Sequence, residues 1–157
     1  MAVMSQLNAS PQLTLEAPDV ETTAARDRGG HAAQAEPGVI TTLRRDGQPV
    51  ATATWYLWDH GRVLVNMDEG RKRLEHMRND PRVALDVLDE SDLYTHVSIT
   101  GHVEEMREDT GLAGIDRLAQ QYTGKPYPQR DRRRVSAWIA VDGWHGWGAL
   151  KDTSQPG

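Results

Sequence analysis

The segment Gly70-Arg71-Lys72-Arg73 carries the most evident chemistry in this sequence. It opens a short stretch with helical character, about residues 70–78. A helix N-terminus carries partial positive charge and favours acidic residues. Three cations in the first turn are therefore locally unfavourable. A bound anion reverses the sign of that penalty. Free backbone N–H groups and cationic side chains would then converge on a phosphate. The alternative is a solvated basic patch, partly neutralised by Asp68 and Glu69. Charge pattern alone leaves both readings open.

Other chemistry is weaker. The six histidines stand at 31, 60, 76, 96, 102 and 145, without the close pairing of a metal site. His96 and His102 share a strand face but lie six residues apart, too far to chelate directly. No metal is expected. The absence of cysteine excludes disulfides, thiolate metal sites and cysteine nucleophiles together. Ser98 and Ser136 lack a nucleophile-elbow context, so hydrolase chemistry has no support. The cluster Arg130 to Arg134 reads as solvated surface, the alternative being contact with a cofactor tail. Trp144 and Trp147 fit sealing an interface as well as touching a cofactor.

The elements that must position these residues are mostly strands. An apolar run at 38–44 ends at the turn signal Asp46-Gly47. Residues 50–58 alternate Thr with small residues and end in Trp55, Tyr56 and Trp58. Asp59-His60-Gly61 is a second turn, followed by a strand at 62–67. Two turns so close predict a three-stranded meander. The short helix follows, with Leu74 and Met77 on its apolar edge. Asn79-Asp80-Pro81 ends it, because the residue before proline is pushed out of helical geometry. Strands are expected at 82–88 and 93–106, the second with Val97, Ile99 and Val103 on one face. Gly101 marks a bulge or bend. A helix opens at 109 or 110 and runs to about 122, with Leu112, Ile115, Leu118, Ala119 and Tyr122 as its buried stripe. Gly111 and Gly114 weaken it by roughly 1 kcal/mol each. The last clear strand is 135–141.

This order, three strands, helix, two strands, helix, one or two strands, predicts a mainly β protein: a six- to seven-stranded antiparallel Greek-key split β-barrel with two or three short flanking helices. Its 157 residues suffice for one domain with a real core. Residues 1–35 are poor in large apolar groups and read as a mobile N-terminal extension, with a short helix at 19–28. Residues 36–150 form the domain, and 151–157 a tail. The net charge of −5 argues against a broad nucleic-acid footprint, so any anion site must be local. No apolar run approaches a membrane span, and no secretory leader is evident. A cytoplasmic protein is expected.

Several segments together resemble a known family. They are Thr42-Leu43-Arg44-Arg45-Asp46-Gly47-Gln48-Pro49, then Trp55-Tyr56-Leu57-Trp58-Asp59-His60-Gly61-Arg62-Val63-Leu64-Val65-Asn66, then Gly70-Arg71-Lys72-Arg73, and Arg78-Asn79-Asp80-Pro81-Arg82-Val83-Ala84-Leu85. A second block is Ile99-Thr100-Gly101-His102-Val103, with His145-Gly146-Trp147-Gly148. Each is weak alone; their order and spacing are specific. The sequence resembles the flavin-binding split-barrel superfamily, which includes pyridoxamine 5'-phosphate oxidases. Within it, the resemblance is to the actinobacterial branch of coenzyme F420-dependent (deazaflavin) reductases.

The resemblance implies roles residue by residue. Asn66 and Met67 occupy the strand end that runs along a cofactor's ribityl chain. Arg71, Lys72 and Arg73 hold its phosphate. Val50, Thr52, Thr54 and Trp55 face the ring system. His96 stands at a polar position near the cofactor, and Trp147 approaches the site, from the partner subunit of a homodimer. No acid–base side chain is evidently required, and the proton would come from solvent or from His96 or His145. The implied activity is an F420-dependent oxidoreductase that delivers a hydride to a conjugated or electron-poor small molecule. The alternatives are an FMN-dependent oxidase or reductase of the same fold, or a non-enzymatic carrier of a cofactor or haem-derived ligand. Relatives begin with a clear amphipathic helix, whereas residues 30–36 here are short and alanine-rich.

Overall fold

The computed structural model describes residues 36, 38–151 and 154–155. The expected extension at 1–35, and the helix expected at 19–28, lie outside the described residues.

One antiparallel sheet dominates. β1 (Gly38–Leu43) pairs with β2 (Pro49–Thr54) on one side and β5 (Arg82–Leu88) on the other. β5 leads to β6 (His96–Glu108) and β6 to β7 (Arg134–Gly146). β7 pairs in turn with β4 (Arg62–Asp68), and β4 with β3 (Leu57–Asp59). A two-residue β8 (Ser154–Gln155) pairs with Trp144 and His145. β5, β6 and β7 are sequential neighbours and β4 returns beside β7, which is a Greek key. The path ends on β2 and β3. Only Trp55 and Tyr56 separate these strands in sequence, yet they do not pair. The barrel is split at that point.

Two buried layers hold it together. Strand alternation sends Val63, Val65 and Met67 inward, against Ile40, Leu85, Val97, Ile99 and Ile139. The helix α1 (Lys72–Asn79) adds Leu74 and Met77 to this cluster. The outer face of β4 and β7 carries a second layer. There Leu64 and Trp138 lie under Ile115, Leu118 and Ala119 of α2 (Ala113–Thr123). Leu64 and Leu118 have no solvent exposure, and each contributes roughly 2 kcal/mol through burial.

Four expectations change. The meander does not form, because the expected strand 50–58 breaks at Trp55-Tyr56. The Tyr122 hydroxyl takes the Tyr56 N–H at 3.2 Å and lies 3.3 Å from the Tyr56 carbonyl. A distant side chain thereby satisfies the groups a ladder would have paired. The strand expected from residue 93 begins at His96. The carboxylates of Asp89 and Asp92 take the amides of Ser91, Asp92 and Tyr94 and fold residues 89–95 into a turn. The second long helix starts at Ala113, after a 3-10 turn at Thr110–Leu112 in which Gly111 has φ +68°. The last strand runs on to Gly146.

Gly101 is a point of close approach as well as a bulge. The register shifts between Thr100 and Gly101, and a Cβ there would lie 2.3 Å from the Ala140 carbonyl oxygen. A second shift, at Glu104, reverses the alternation and sends Met106 toward the core. Among the described residues, no helix is long and apolar enough to cross a membrane.

Candidate functional site

The β4–β7 ladder builds the site. Its last rung sets Asp68 opposite Arg134, and the Glu69 N–H donates to the Arg133 carbonyl at 2.8 Å. Gly70 then turns the chain with φ +86°, a region that favours glycine. Arg71 is the extended N-cap of α1, and no side chain caps the helix. Residues 71–73 and 130–134 are thereby brought side by side.

Asp68 is the shared acceptor. It takes hydrogen bonds from Arg71 and Arg132, each at 3.3 Å, and from Arg134. The Arg134 side chain is 7% exposed and also donates to Asn66 Oδ1 at 2.6 Å. The outer residues of the cluster are paired elsewhere: Lys72 with Glu75, Arg78 with Glu69, Arg133 with Glu108. Arg73 is different. Its Nη1 is buried and has no hydrogen-bond partner among the described residues. Burial, with repulsion from Arg71 and Arg134, pulls its guanidinium below the ordinary arginine value. The neighbouring residues Asp68, Glu69, Gly70, Arg71, Arg132 and Arg133 line a shallow cleft of about 490 Å³, and Arg73 is not part of its wall. Three arginines and two carboxylates line it, so its side-chain charge is net positive. A cleft of that charge can take an anion.

An aromatic group adjoins the cleft. Trp55 stacks on Tyr122, with centroids 5.2 Å apart, and meets Tyr127 edge-on at 6.3 Å. The Arg134 guanidinium lies over the Tyr127 ring at 4.6 Å. Trp55, Tyr127 and Arg134 thus connect the end of β2 to the cleft.

The remaining expected residues fall in three places. Val50 is half-buried on β2, Thr52 is exposed, and Thr54 Oγ1 donates to the Trp55 carbonyl at 3.0 Å. Asn66 is 5% exposed, and its amide is occupied by Asp109, Ser136 and Arg134. Met67 is 1% exposed in the inner core. The side chains of both belong to the interior. His96, His145 and Trp147 form a separate group. His96 stacks on Trp147 at 5.8 Å, and His145 meets the same indole edge-on at 4.8 Å. This group sits at the far end of β7. Eleven residue steps along the strand from Arg134 to His145 span roughly 35 Å. One chain therefore does not join the histidines to the arginine cleft.

The sequence reading undervalued the arginines after α2. Arg134 is buried rather than solvated, and Arg132 and Arg133 line the cleft. The available signal was their place at the start of a strand, but only the β4–β7 register reveals what they face. No metal-binding group of three or more side chains exists among the described residues.

Comparison with known proteins gives a consistent picture. Residues 31–148 match the pyridoxamine 5'-phosphate oxidase family. No curated protein matches. Among solved structures, an F420 reductase shares 24% identity, covers 71% of this chain and 90% of its own, and superposes with a TM-score of 0.65. A conserved hypothetical protein from Mycobacterium tuberculosis shares 19% identity over 94% of this chain and 98% of its own, with a TM-score of 0.55. The haem storage protein HutZ from Vibrio cholerae shares 13% identity over 72% and 87%, with a TM-score of 0.54. At these identities the structures are alike in fold.

Proposed function

The chain belongs to the pyridoxamine 5'-phosphate oxidase family, and from that premise we propose that it is an oxidoreductase dependent on the deazaflavin coenzyme F420. Its substrate class is a conjugated or electron-poor small molecule. The observation that carries this reading is the net positive cleft lined by Arg71, Arg132 and Arg133, with the unpartnered Nη1 of Arg73 two residues beyond Arg71 in the same turn. A phosphate fits that deficit in both charge and hydrogen bonding. The sequence resemblance to F420-dependent reductases, and the fold shared with an F420 reductase, favour the deazaflavin.

When bound, coenzyme F420 would supply a hydride, and FMN in the same cleft would supply flavin redox chemistry. The chain's own residues bind and orient. Arg71 and Arg73 hold the phosphate. Asp68 keeps Arg71, Arg132 and Arg134 in place. Trp55, half-buried at the end of β2, offers its surface to a ring system, and Val50, Thr52 and Thr54 precede it along the strand.

The protein works as a homodimer in this reading. His96, His145 and Trp147 lie too far from the cleft in one chain, so they reach a cofactor only from a second copy. β2 supports this, because Ala51, Thr52 and Ala53 are exposed in succession on both faces of an edge strand. His96 or His145 of a second copy would then stand where a proton is needed.

Titration with oxidised F420 and with FMN, followed by tryptophan fluorescence, tests the proposal. Quenching by F420 at lower concentration than FMN is expected. Quenching by FMN alone would assign the flavin, and no response to either would overturn the reading. Binding without turnover across enones, quinones and bilins would mark a carrier. Light scattering should give twice the chain mass.

A further inference from the structure

The loop 124–133 supplies Arg132 and Arg133 to the cleft and Tyr127 to the aromatic group. It leaves α2 through Gly124, at φ +68°, and contains two prolines. Among the described contacts, one carboxylate ties the backbone of its middle to the rest of the protein. Asp116, in the first turn of α2, accepts the Tyr127 N–H at 2.9 Å and Arg130 Nη1 at 2.5 Å. Arg130 Nη1 also donates to the Tyr127 carbonyl at 3.2 Å. Both polar groups of the Tyr127 backbone are therefore held by this one pair. The Tyr127 ring lies between Trp55 and Arg134, and its hydroxyl takes a hydrogen bond from Arg134 at 3.3 Å.

We propose that Asp116 is a positioning residue, which clamps the loop through Tyr127 and Arg130 and so holds Arg132 and Tyr127 in the ligand site. The proposal rests on the anion-site reading of the arginine cleft. Asp116 touches no ligand in this arrangement. Its carboxyl is held below the ordinary carboxylate range, chiefly by the Arg130 hydrogen bond and further by the Tyr127 amide, so the clamp is charged at neutral pH. The carboxylate is about one-third exposed, so its removal leaves both cores intact. The cost falls on the loop instead. Arg132 has one partner, Asp68 at 3.3 Å, and a released loop would carry it away.

The test compares the full-length protein with Asp116→Ala, Asp116→Asn and Arg130→Ala. Binding of inorganic phosphate and of coenzyme F420 is measured by titration, and tryptic cleavage after Arg130 and Arg132 by mass spectrometry. Asp116→Ala should weaken both ligands about tenfold, the size expected for a lost charged hydrogen bond. It should also speed cleavage in the loop several-fold while leaving the melting temperature nearly unchanged. Asp116→Asn keeps an acceptor for the Tyr127 amide and loses the ion pair, so its effects should be intermediate. Arg130→Ala, which removes the first of these sites, should reproduce the faster cleavage after Arg132 if Asp116→Ala fails to fold. Unchanged affinity with faster cleavage, or weaker affinity with unchanged cleavage, would overturn the proposal. If the wild type binds neither F420 nor FMN, the cofactor reading falls while phosphate affinity and cleavage still decide this one. Absence of phosphate binding in the wild type would overturn both.

Discussion

Asp68 and Arg134 face each other across the last rung of the β4–β7 ladder, and their side chains are joined by a hydrogen bond. This pairing anchors the candidate site. It fixes the end of β4, the start of β7 and, through Asp68, the orientation of Arg71 and Arg132. Arg73 is left outside the arrangement.

Arg73 should therefore cost stability and provide affinity. A buried guanidinium nitrogen without a hydrogen-bond partner is expensive, whereas a flexible apolar side chain of similar length is not. Arg73→Met is expected to keep or raise the melting temperature of the ligand-free protein. The same variant should bind phosphate and the phosphate-bearing cofactor at least about tenfold more weakly. Calorimetry gives the first quantity and fluorescence titration the second. A lower melting temperature with unchanged affinity would make Arg73 a structural residue.

Gly114 should tolerate no side chain while Ser136 is present. A Cβ there would lie 2.3 Å from Ser136 Oγ, 3.1 Å from Asp109 Oδ1 and 3.3 Å from Asn66 Nδ2. These three groups bond to one another through the Asn66 amide, and Asp109 also takes the N–H groups of Gly114 and Ile115. Gly114→Ala should destabilise the fold by about 2 kcal/mol, the usual scale for overpacking. Adding Ser136→Ala should recover part of the loss by opening the space, measured by urea denaturation. Additive losses in the double variant would contradict this account.

Acid should loosen the second core through Asp59. This carboxylate, 10% exposed in its side chain, accepts from Arg117 at 2.8 Å and from Trp138 Nε1 at 2.7 Å. The Arg117 hydrogen bond, with Trp138 and His60 adding to it, outweighs desolvation and holds Asp59 far below the ordinary carboxylate range. Its folded-state value is thus lower than its unfolded one. The stability it contributes is full above about pH 4 and is lost as pH falls further. Melting temperatures from pH 7 to pH 2.5 should drop more steeply for the wild type than for Asp59→Asn. The variant should be the less stable of the two at neutral pH. Parallel pH profiles would remove Asp59 from acid sensitivity.

Residue order alone determined much of this protein. The apolar run at Gly38–Leu43, alternation in Arg82–Leu88, the turn at Asp46-Gly47, and Leu74 with Met77 at helical spacing are local signals, and each folds as its pattern requires. The cations of residues 71–73 also stood out, because their sign conflicts with the helix end they occupy. Tertiary structure decided the rest. Whether Arg134 is solvated depends on the strand opposite it, and nothing near Arg134 in sequence encodes Asp68. The break at Trp55-Tyr56 depends on a hydroxyl from Tyr122, 66 residues away. Asn66 reads as a ligand contact until Asp109, Ser136 and Arg134 surround it. Local propensity sets which elements form, since neighbouring residues compete for the same backbone groups. Partnership in a site is set by register between strands distant in sequence, and register exists only once the sheet has closed.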